Sequence, residues 1–266
     1  MITIKFGGSV INDLHPSALN DIKNLAINEK LVIVHGGGNE VTSVATKLGK
    51  EQKFIVSPGG IRSRLTDKET VEIYTMVMSG KVNKQIVQWL VQGGLKAVGI
   101  SGIDSGLIRA TRKSKLTVIN DKGRKMIIDG GYTGKIKSVQ SDLLKVLMGE
   151  GYLPVVSPIA LGEDYEYLNV DGDRAAAYVA GSLRADKILF ITDVGGLMED
   201  DIVLRNLNLN EAKLMLPKIG FGMEKKVLAC TEALMMGTKE AIISSGRISN
   251  PISNAIAHNE GTLISN

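Results

Sequence analysis

Short apolar runs that end in glycine-rich turns recur along this 266-residue chain, and they restrict it to few architectures. Residues 2–6 (ITIKF) lead into Gly7-Gly8-Ser9, residues 31–34 (LVIV) into His35 and Gly36-Gly37-Gly38, and residues 188–192 (ILFIT) into Asp193-Val194-Gly195-Gly196. Similar buried-strand patterns lie at 96–100, 153–156 and 241–244, the last read as the final strand before Gly246. Helical spacing fills the intervals at 16–28, 39–48, 66–92, 173–183 and 225–236. Thr66-Asp67-Lys68-Glu69 reads as a capping box that opens the third of these helices at Thr66. Strands apolar on both faces that alternate with helices predict an α/β protein with a mainly parallel sheet covered on both sides. No repeat, low-complexity tract or long linker divides the chain, so residues 1–266 read as a single domain.

Several function classes drop out on composition. No apolar run approaches the ~20 residues of a membrane span, and the first ten residues lack the apolar stretch of a signal peptide. The single cysteine, Cys230, excludes an internal disulfide and a cysteine-built metal cluster. His15, His35 and His258 show no metal-ligand spacing. A cytoplasmic protein is expected.

The net charge of +4 conceals an uneven distribution. Residues 109–125 carry seven basic side chains and one acid, Asp121, a net of +6 that leaves −2 for the remainder. Within this segment 117–120 and 124–128 read as a β-hairpin, closed by Asp121-Lys122-Gly123, that projects from the α/β body. The two readings are a solvated surface and a docking arm for an acidic partner. With aromatics at 4% there is little for base stacking, which disfavours nucleic acid as that partner.

A strand that ends in glycines before a helix offers backbone N–H groups and a helix N-terminus to an anion. Three such turns in one chain favour a polyanionic ligand at the carboxyl ends of parallel strands. The P-loop pattern, the dinucleotide G-x-G-x-x-G after the first strand and the G-x-S-x-G elbow are all missing from the sequence. Lys5, one residue before the glycines, is either an edge lysine or a fixed cation at the mouth of a phosphate loop, and its neighbours favour the second.

In order along the chain stand K-F-G-G-S at 5–9, V-H-G-G-G at 34–38, N-V-D-G-D at 169–173, T-D-V-G-G at 192–196 and G-M-E-K-K at 222–226. As a set these resemble the amino-acid kinase family, which includes N-acetylglutamate kinase. The resemblance covers essentially the whole chain. It implies an open three-layer α/β/α sandwich around about eight mostly parallel strands, with the acceptor and dimer partner on the N-terminal half and ATP on the C-terminal half. It also implies catalytic roles for Lys5 and Lys226, with Asp173 orienting both. Lys225 is a competitor one residue short of the family position, and Asp173 doubles as a candidate N-cap for a helix starting at Arg174. By the same resemblance Gly37, Gly38, Arg64 and Asn169 bind the acceptor. Gly8, Thr192, Asp193 and Gly195 belong to the nucleotide site, and Lys218 is a weaker candidate there. Arg64 reads as an arginine at a helix start, where the dipole disfavours a cation, which itself suggests an anionic ligand. His35 reads as a core or loop-bracing residue rather than a base, while Trp89 and Cys230 read as packing.

An acceptor carboxylate with a pKa near ~4.3 is ionised at neutral pH and needs no general base. That agrees with a chain lacking a nucleophile triad and leaves positioning and charge neutralisation to do the catalysis. Mg²⁺ is expected to arrive with ATP, since no carboxylate cage is evident.

Two local features, S-P-G-G-I-R-S-R-L-T-D-K-E-T at 57–70 with its extra Arg62 and the basic hairpin leading into G-G-Y-T-G-K-I at 130–136, look like the [LysW]-aminoadipate/[LysW]-glutamate kinases. Those enzymes phosphorylate the side carboxylate of an amino acid whose amine is attached to a small acidic carrier protein. The resemblance therefore implies a LysW-type carrier as partner, contacted by Arg112, Lys113, Lys115, Arg124 and Lys125, and a homodimer. The chain lacks the extra N-terminal helix of arginine-inhibited relatives, so arginine feedback is not expected. The alternatives are a kinase of free N-acetyl-L-glutamate, a kinase of a phosphorylated acceptor and a non-catalytic nucleotide sensor. Arg64 and Asn169 disfavour the phosphorylated acceptor, and retention of Lys5, Asp173 and Lys226 disfavours the sensor.

Overall fold

The structure, a computed structural model, describes residues 1–60, 62–119, 123–200, 202–220 and 222–266. One sheet contains β1 (Ile2–Phe6), β2 (Leu31–His35), β3 (Ala97–Ser101), β4 (Leu153–Ser157), β5 (Lys187–Thr192), β6 (Asn206–Asn208), β7 (Glu240–Ser245) and β8 (Thr262–Ser265). Their order across the sheet is β6-β8-β7-β5-β1-β2-β4-β3. The six strands from β7 to β3 are parallel, while β8 runs antiparallel to β7 and carries β6 alongside it. The 241–244 run is thus not the final strand. β8 follows it, a four-residue strand whose alternate residues Thr262 and Ile264 are buried, too short to stand out by periodicity.

Alternation along each strand feeds two apolar layers. Ile2, Ile4 and Phe6 face a core shared with helices Ala18–Asn28, Gly38–Lys47, Asn83–Gln92 and Pro251–Ile256. Val32, Val34, Ile188 and Phe190 face the other core, shared with helices Asp142–Gly149, Gly172–Leu183 and Met223–Met235. Because both faces are covered, the strands read as unbroken apolar runs, and each fully buried Ile or Phe contributes about 1.5–3 kcal/mol. The three-layer α/β arrangement with a mostly parallel central sheet is as expected.

The 66–92 helix is not continuous. It begins at Lys68 with Asp67 as its N-cap, the Asp67 side chain accepting the Thr70 N–H at 2.8 Å, so Thr66 is not the cap. Thr66 is fully buried with its hydroxyl turned to the Arg64 carbonyl. After Thr75 the chain widens into a π-helical stretch, Met76–Val82, around Ser79 and Gly80, and returns to α geometry at Asn83–Gln92.

The sequence patterns also missed a second, four-stranded sheet, ordered Tyr167–Asn169, Ile159–Leu161, Ile108–Arg112 and Gly134–Val139. Two antiparallel ribbons also form, Phe54–Val56 with Arg62–Arg64 and Lys115–Ile119 with Lys125–Asp129, and the strands Phe54–Val56 and Lys115–Ile119 touch. The second ribbon starts two residues before the 117–120 run, and Asn120, the end of that run, lies outside the described residues together with Asp121 and Lys122 of the expected turn.

Candidate active site

The strand alternation that buries Ile4 and Phe6 in one layer turns Lys5 to the opposite face, under helix Gly172–Leu183. The first turn of that helix holds Asp173. Lys5 is buried, and its Nζ lies 2.5 Å from Asp173 Oδ1. The other carboxylate oxygen, Oδ2, is 3.9 Å from Lys226 Nζ. Burial works against ionisation of Asp173, but Lys5 and then Lys226 hold its carboxyl below the usual carboxylate range.

Asp173 is not the N-cap. Asp171 is, its Oδ1 accepting the N–H groups of Asp173 and Arg174, both at 3.0 Å. The helix starts at Gly172, two residues before Arg174, which leaves the Asp173 carboxylate wholly for the lysines.

Lys226 arrives from helix Met223–Met235, entered through Gly222 at φ 91°, a left-handed conformation that suits glycine. Neighbouring Lys225 goes elsewhere. Its Nζ donates to the Arg62 carbonyl at 2.7 Å and lies 3.9 Å from Asp171.

The turns after β1 and β2 meet backbone to backbone. A Cβ on Gly8 would lie 2.6 Å from the Gly37 nitrogen, and one on Gly36 would lie 2.8 Å from the Gly8 nitrogen. Only glycine permits that approach. Helix Gly38–Lys47 then begins with Gly37 as an N-cap that has no side-chain bond, so its first-turn N–H groups suit an anion. Beneath them His35 is fully buried. Its Nε2 takes the Asn83 amide at 3.2 Å, which leaves Nδ1–H to donate to Gly36 O at 2.9 Å. Burial pushes its pKa down to about 4, so it is neutral and braces the glycine turn.

Arg64 sits on the short strand Arg62–Arg64, not at a helix start, so the dipole reading does not apply. Its guanidinium is buried beside Phe54, with Nη2 donating to Gly38 O at 2.8 Å and Thr42 Oγ1 at 3.0 Å, and Nη1 donating to Gln52 Oε1. With both Nη2 hydrogens in use, a two-pronged grip on a carboxylate requires these contacts to be exchanged. Asn169, at the end of a strand of the second sheet, lines the same cleft.

The cleft is about 620 Å³ and is lined by Gly8, Gly36, Gly37, Gly38 and Asn169 among others. Its wall carries seven basic residues, Lys5, Arg62, Arg64, Lys113, Arg174, Lys225 and Lys226, against two acids, Asp171 and Asp173. That imbalance suits a ligand with several negative charges. Thr192, Asp193 and Gly195 stand past this wall, at the end of β5, where Thr192 Oγ1 donates to Asp193 at 3.0 Å. Burial opposes ionisation of Asp193, yet the Thr192 and Ser9 hydroxyls and Lys226 hold its carboxyl below the usual range. Lys218 is exposed in a short turn at Leu216–Lys218.

The basic segment is divided by the fold. Arg112, at the end of its strand, stacks on Tyr132 at 4.2 Å and donates to Gly131 O at 2.6 Å. Lys113 is half-buried in the cleft wall, where burial and then Arg174 lower its pKa. Lys115, Arg124 and Lys125 are exposed on and beside the ribbon. Three placements escaped the sequence reading: Asp171 as cap, Thr66 under Asn169 rather than as a cap, and Lys113 in the cleft wall rather than on a projecting hairpin. Only a spacing of two between Asp171 and Asp173 hinted at the first.

A profile of the amino acid kinase family matches residues 1–245. The chain is 60% identical over 264 residues, 99% of each chain, to a Nitrosopumilus maritimus protein whose name assigns it provisionally as a [LysW]-aminoadipate/[LysW]-glutamate kinase. It is 44% identical over 267 residues, the full length of both, to the [LysW]-aminoadipate/[LysW]-glutamate kinase of Saccharolobus solfataricus. Among solved structures it is similar to the smu.665 protein of Streptococcus mutans, with a TM-score of 0.82 at 22% identity over 99% of this chain and 98% of that one.

Proposed function

The chain belongs to the amino acid kinase family, and from that premise we propose that it transfers the γ-phosphoryl group of ATP to the side-chain carboxylate of 2-aminoadipate or glutamate held by its amine on a small acidic carrier protein. The observation that carries this reading is the convergence of Lys5 and Lys226 on one buried carboxylate, Asp173, in an otherwise basic cleft. The carrier comes from the names of the full-length relatives. One carboxylate oxygen of the acceptor attacks the γ-phosphorus, the bond from that phosphorus to the bridging oxygen of the β-phosphate breaks, and ADP leaves with the electron pair. The product is an acyl phosphate, and no proton changes hands. Lys5 and Lys226 neutralise charge on the transferring group, and Asp173 holds both in place. The first-turn N–H groups at Gly37 and Gly38 support the acceptor carboxylate. Gly8, Thr192, Asp193 and Gly195 form the nucleotide side.

Among the described residues no three His, Cys, Asp or Glu side chains gather as a metal site, and both cleft acids are already engaged, Asp171 in capping and Asp173 with the lysines. The protein residues therefore do not fit a Mg²⁺ cage, and the ion is read as travelling on the nucleotide phosphates. We read residues 1–266 as one domain, with the acceptor side in the N-terminal half. No helix among the described residues is long and apolar enough to cross a membrane. A cytoplasmic homodimer is proposed from the family resemblance alone.

Docking of the carrier is assigned to the basic ribbon, chiefly Lys115, Arg124 and Lys125, with Arg112 and Lys113 nearer the substrate. Leu116, Thr117 and Val118 of this ribbon line the cleft, so a carrier held there would stand at its mouth. The test is an ATP-dependent hydroxamate assay on the carrier-linked amino acid and on N-acetyl-L-glutamate. Lys115→Ser, Arg124→Ser and Lys125→Ser together should reduce kcat/KM for the carrier substrate by about tenfold or more and leave the small acceptor nearly unchanged. Added salt should weaken the carrier reaction the more steeply, through screening over about 8–10 Å. Equal salt sensitivity and no effect of the substitutions would return the ribbon to a solvated surface and favour free N-acetyl-L-glutamate as acceptor.

A further inference from the structure

Asn169 reaches the cleft with its carboxamide already oriented. Thr66 lies under it, fully buried. The single Thr66 hydroxyl proton is given to the Arg64 carbonyl at 3.2 Å, an oxygen that can only accept. Thr66 Oγ1 can therefore only accept from Asn169, whose Nδ2 donates to it at 3.0 Å. The arrangement is locked by the main chain, since Thr66 O accepts the Tyr132 N–H at 2.7 Å and Tyr132 O accepts the Asn169 N–H at 2.9 Å. Reversal of the carboxamide would set its oxygen against the Thr66 oxygen with no hydrogen between them, leaving both oxygens unpaired. The atom left for a ligand is Asn169 Oδ1, which has no hydrogen-bond partner among the described residues.

We infer that Thr66 is a positioning residue that fixes Asn169 Oδ1 as an acceptor for a neutral N–H of the substrate, so that the site selects an amino acid whose α-amine is in amide linkage. This rests on the kinase reading above and deepens it. An ammonium group would also donate to Oδ1, but it would enter a wall with seven basic residues and two acids, both acids already engaged. An amide N–H donates without adding positive charge. The arrangement explains why the acceptor amine needs to be acylated, whether by a carrier or by a small acyl group.

Two probes that differ only at this atom test it: N-acetyl-L-glutamate and its ester isostere, O-acetyl-L-2-hydroxyglutarate. Calorimetric titration into the full-length protein reads the preference without depending on turnover. Wild type should bind the amide about tenfold or more tightly than the ester. Thr66→Val, which keeps the shape and removes the hydroxyl, should shrink that preference to about threefold or less, and Thr66→Ser should restore it. The KM for ATP should be the same in all three proteins. Equal binding of the two probes by wild type, binding of neither, or a full amide preference in Thr66→Val would overturn the inference. If Thr66→Val does not fold, the wild-type preference decides. Hydroxamate formation by wild type with ATP is read separately. Amide preference without hydroxamate from any acceptor would sink the kinase reading and leave the role of Thr66 standing. Hydroxamate without amide preference would do the reverse.

Discussion

Alanine at Lys5, or at Lys226, should lower kcat by about 10²-fold or more with both substrates saturating, while the protein stays folded. Each lysine is fixed near the same carboxylate, one at 2.5 Å and the other at 3.9 Å, so each is held before the reaction begins. A pre-placed cation favours the transition state, where charge spreads over the phosphoryl oxygens, more than it favours bound ATP. The loss should therefore fall on kcat more than on KM. Lys225→Ala should have a much smaller effect on kcat, since its ammonium faces Arg62 O and Asp171. Near-normal turnover in either the Lys5 or the Lys226 variant, measured by ADP release, would remove that residue from the catalytic pair.

Asp173→Ala should be the most destabilising change in the cleft. It leaves Lys5 buried without its partner, and breaking a buried pair in this way costs about 3–5 kcal/mol. Turnover should fall as well, because both lysines lose their common anchor. The pH dependence has a definite sign. Burial alone would raise the Asp173 carboxyl, but Lys5 and Lys226 hold it below its ordinary value. Its contribution to stability is therefore full above the ordinary carboxylate pKa of about 3.9 and is lost as pH falls through the depressed folded value. The gap between wild type and variant in denaturant titrations should be constant from neutral pH to about pH 5 and should narrow in stronger acid. A variant within about 0.5 kcal/mol of wild type at neutral pH would mean that the pair is not a structural anchor.

What could be read in the sequence is what depends on local pattern. β1, β2 and β5 are apolar runs closed by glycines, and the same alternation that buries Ile4 and Phe6 dictates which way Lys5 turns. The Gly8–Gly36 crossing was foreshadowed by glycine content, since only glycines permit the 2.6 Å and 2.8 Å approaches. What escaped depends on partners distant in sequence. Asp171 and Asp173 are both good helix caps in isolation, and the backbone at Gly172 decides between them. Thr66 reads as a cap until Asn169, 103 residues later, is brought over it. The second sheet is made of three- to six-residue strands that gain their pattern only from one another, as Ile159–Leu161 does from Tyr167–Asn169. The basic run had the right total charge but no direction. The fold sends Arg112 against Tyr132, Lys113 into the cleft and Lys115 to the surface.

The identity of the nucleophile is tested most directly by isotope transfer. The side-chain carboxylate of the carrier-linked substrate is labelled with ¹⁸O, the reaction is run with unlabelled ATP, and the product is trapped with hydroxylamine, which attacks the carbonyl carbon and releases phosphate. If a carboxylate oxygen attacks the γ-phosphorus between Lys5 and Lys226, the released phosphate carries one ¹⁸O from the substrate, and the Lys5→Ala protein yields that labelled phosphate at the reduced rate. Phosphate released without ¹⁸O, at a rate matching ATP consumption, would mean that ATP is spent on some other acceptor and that the carboxylate is not the nucleophile.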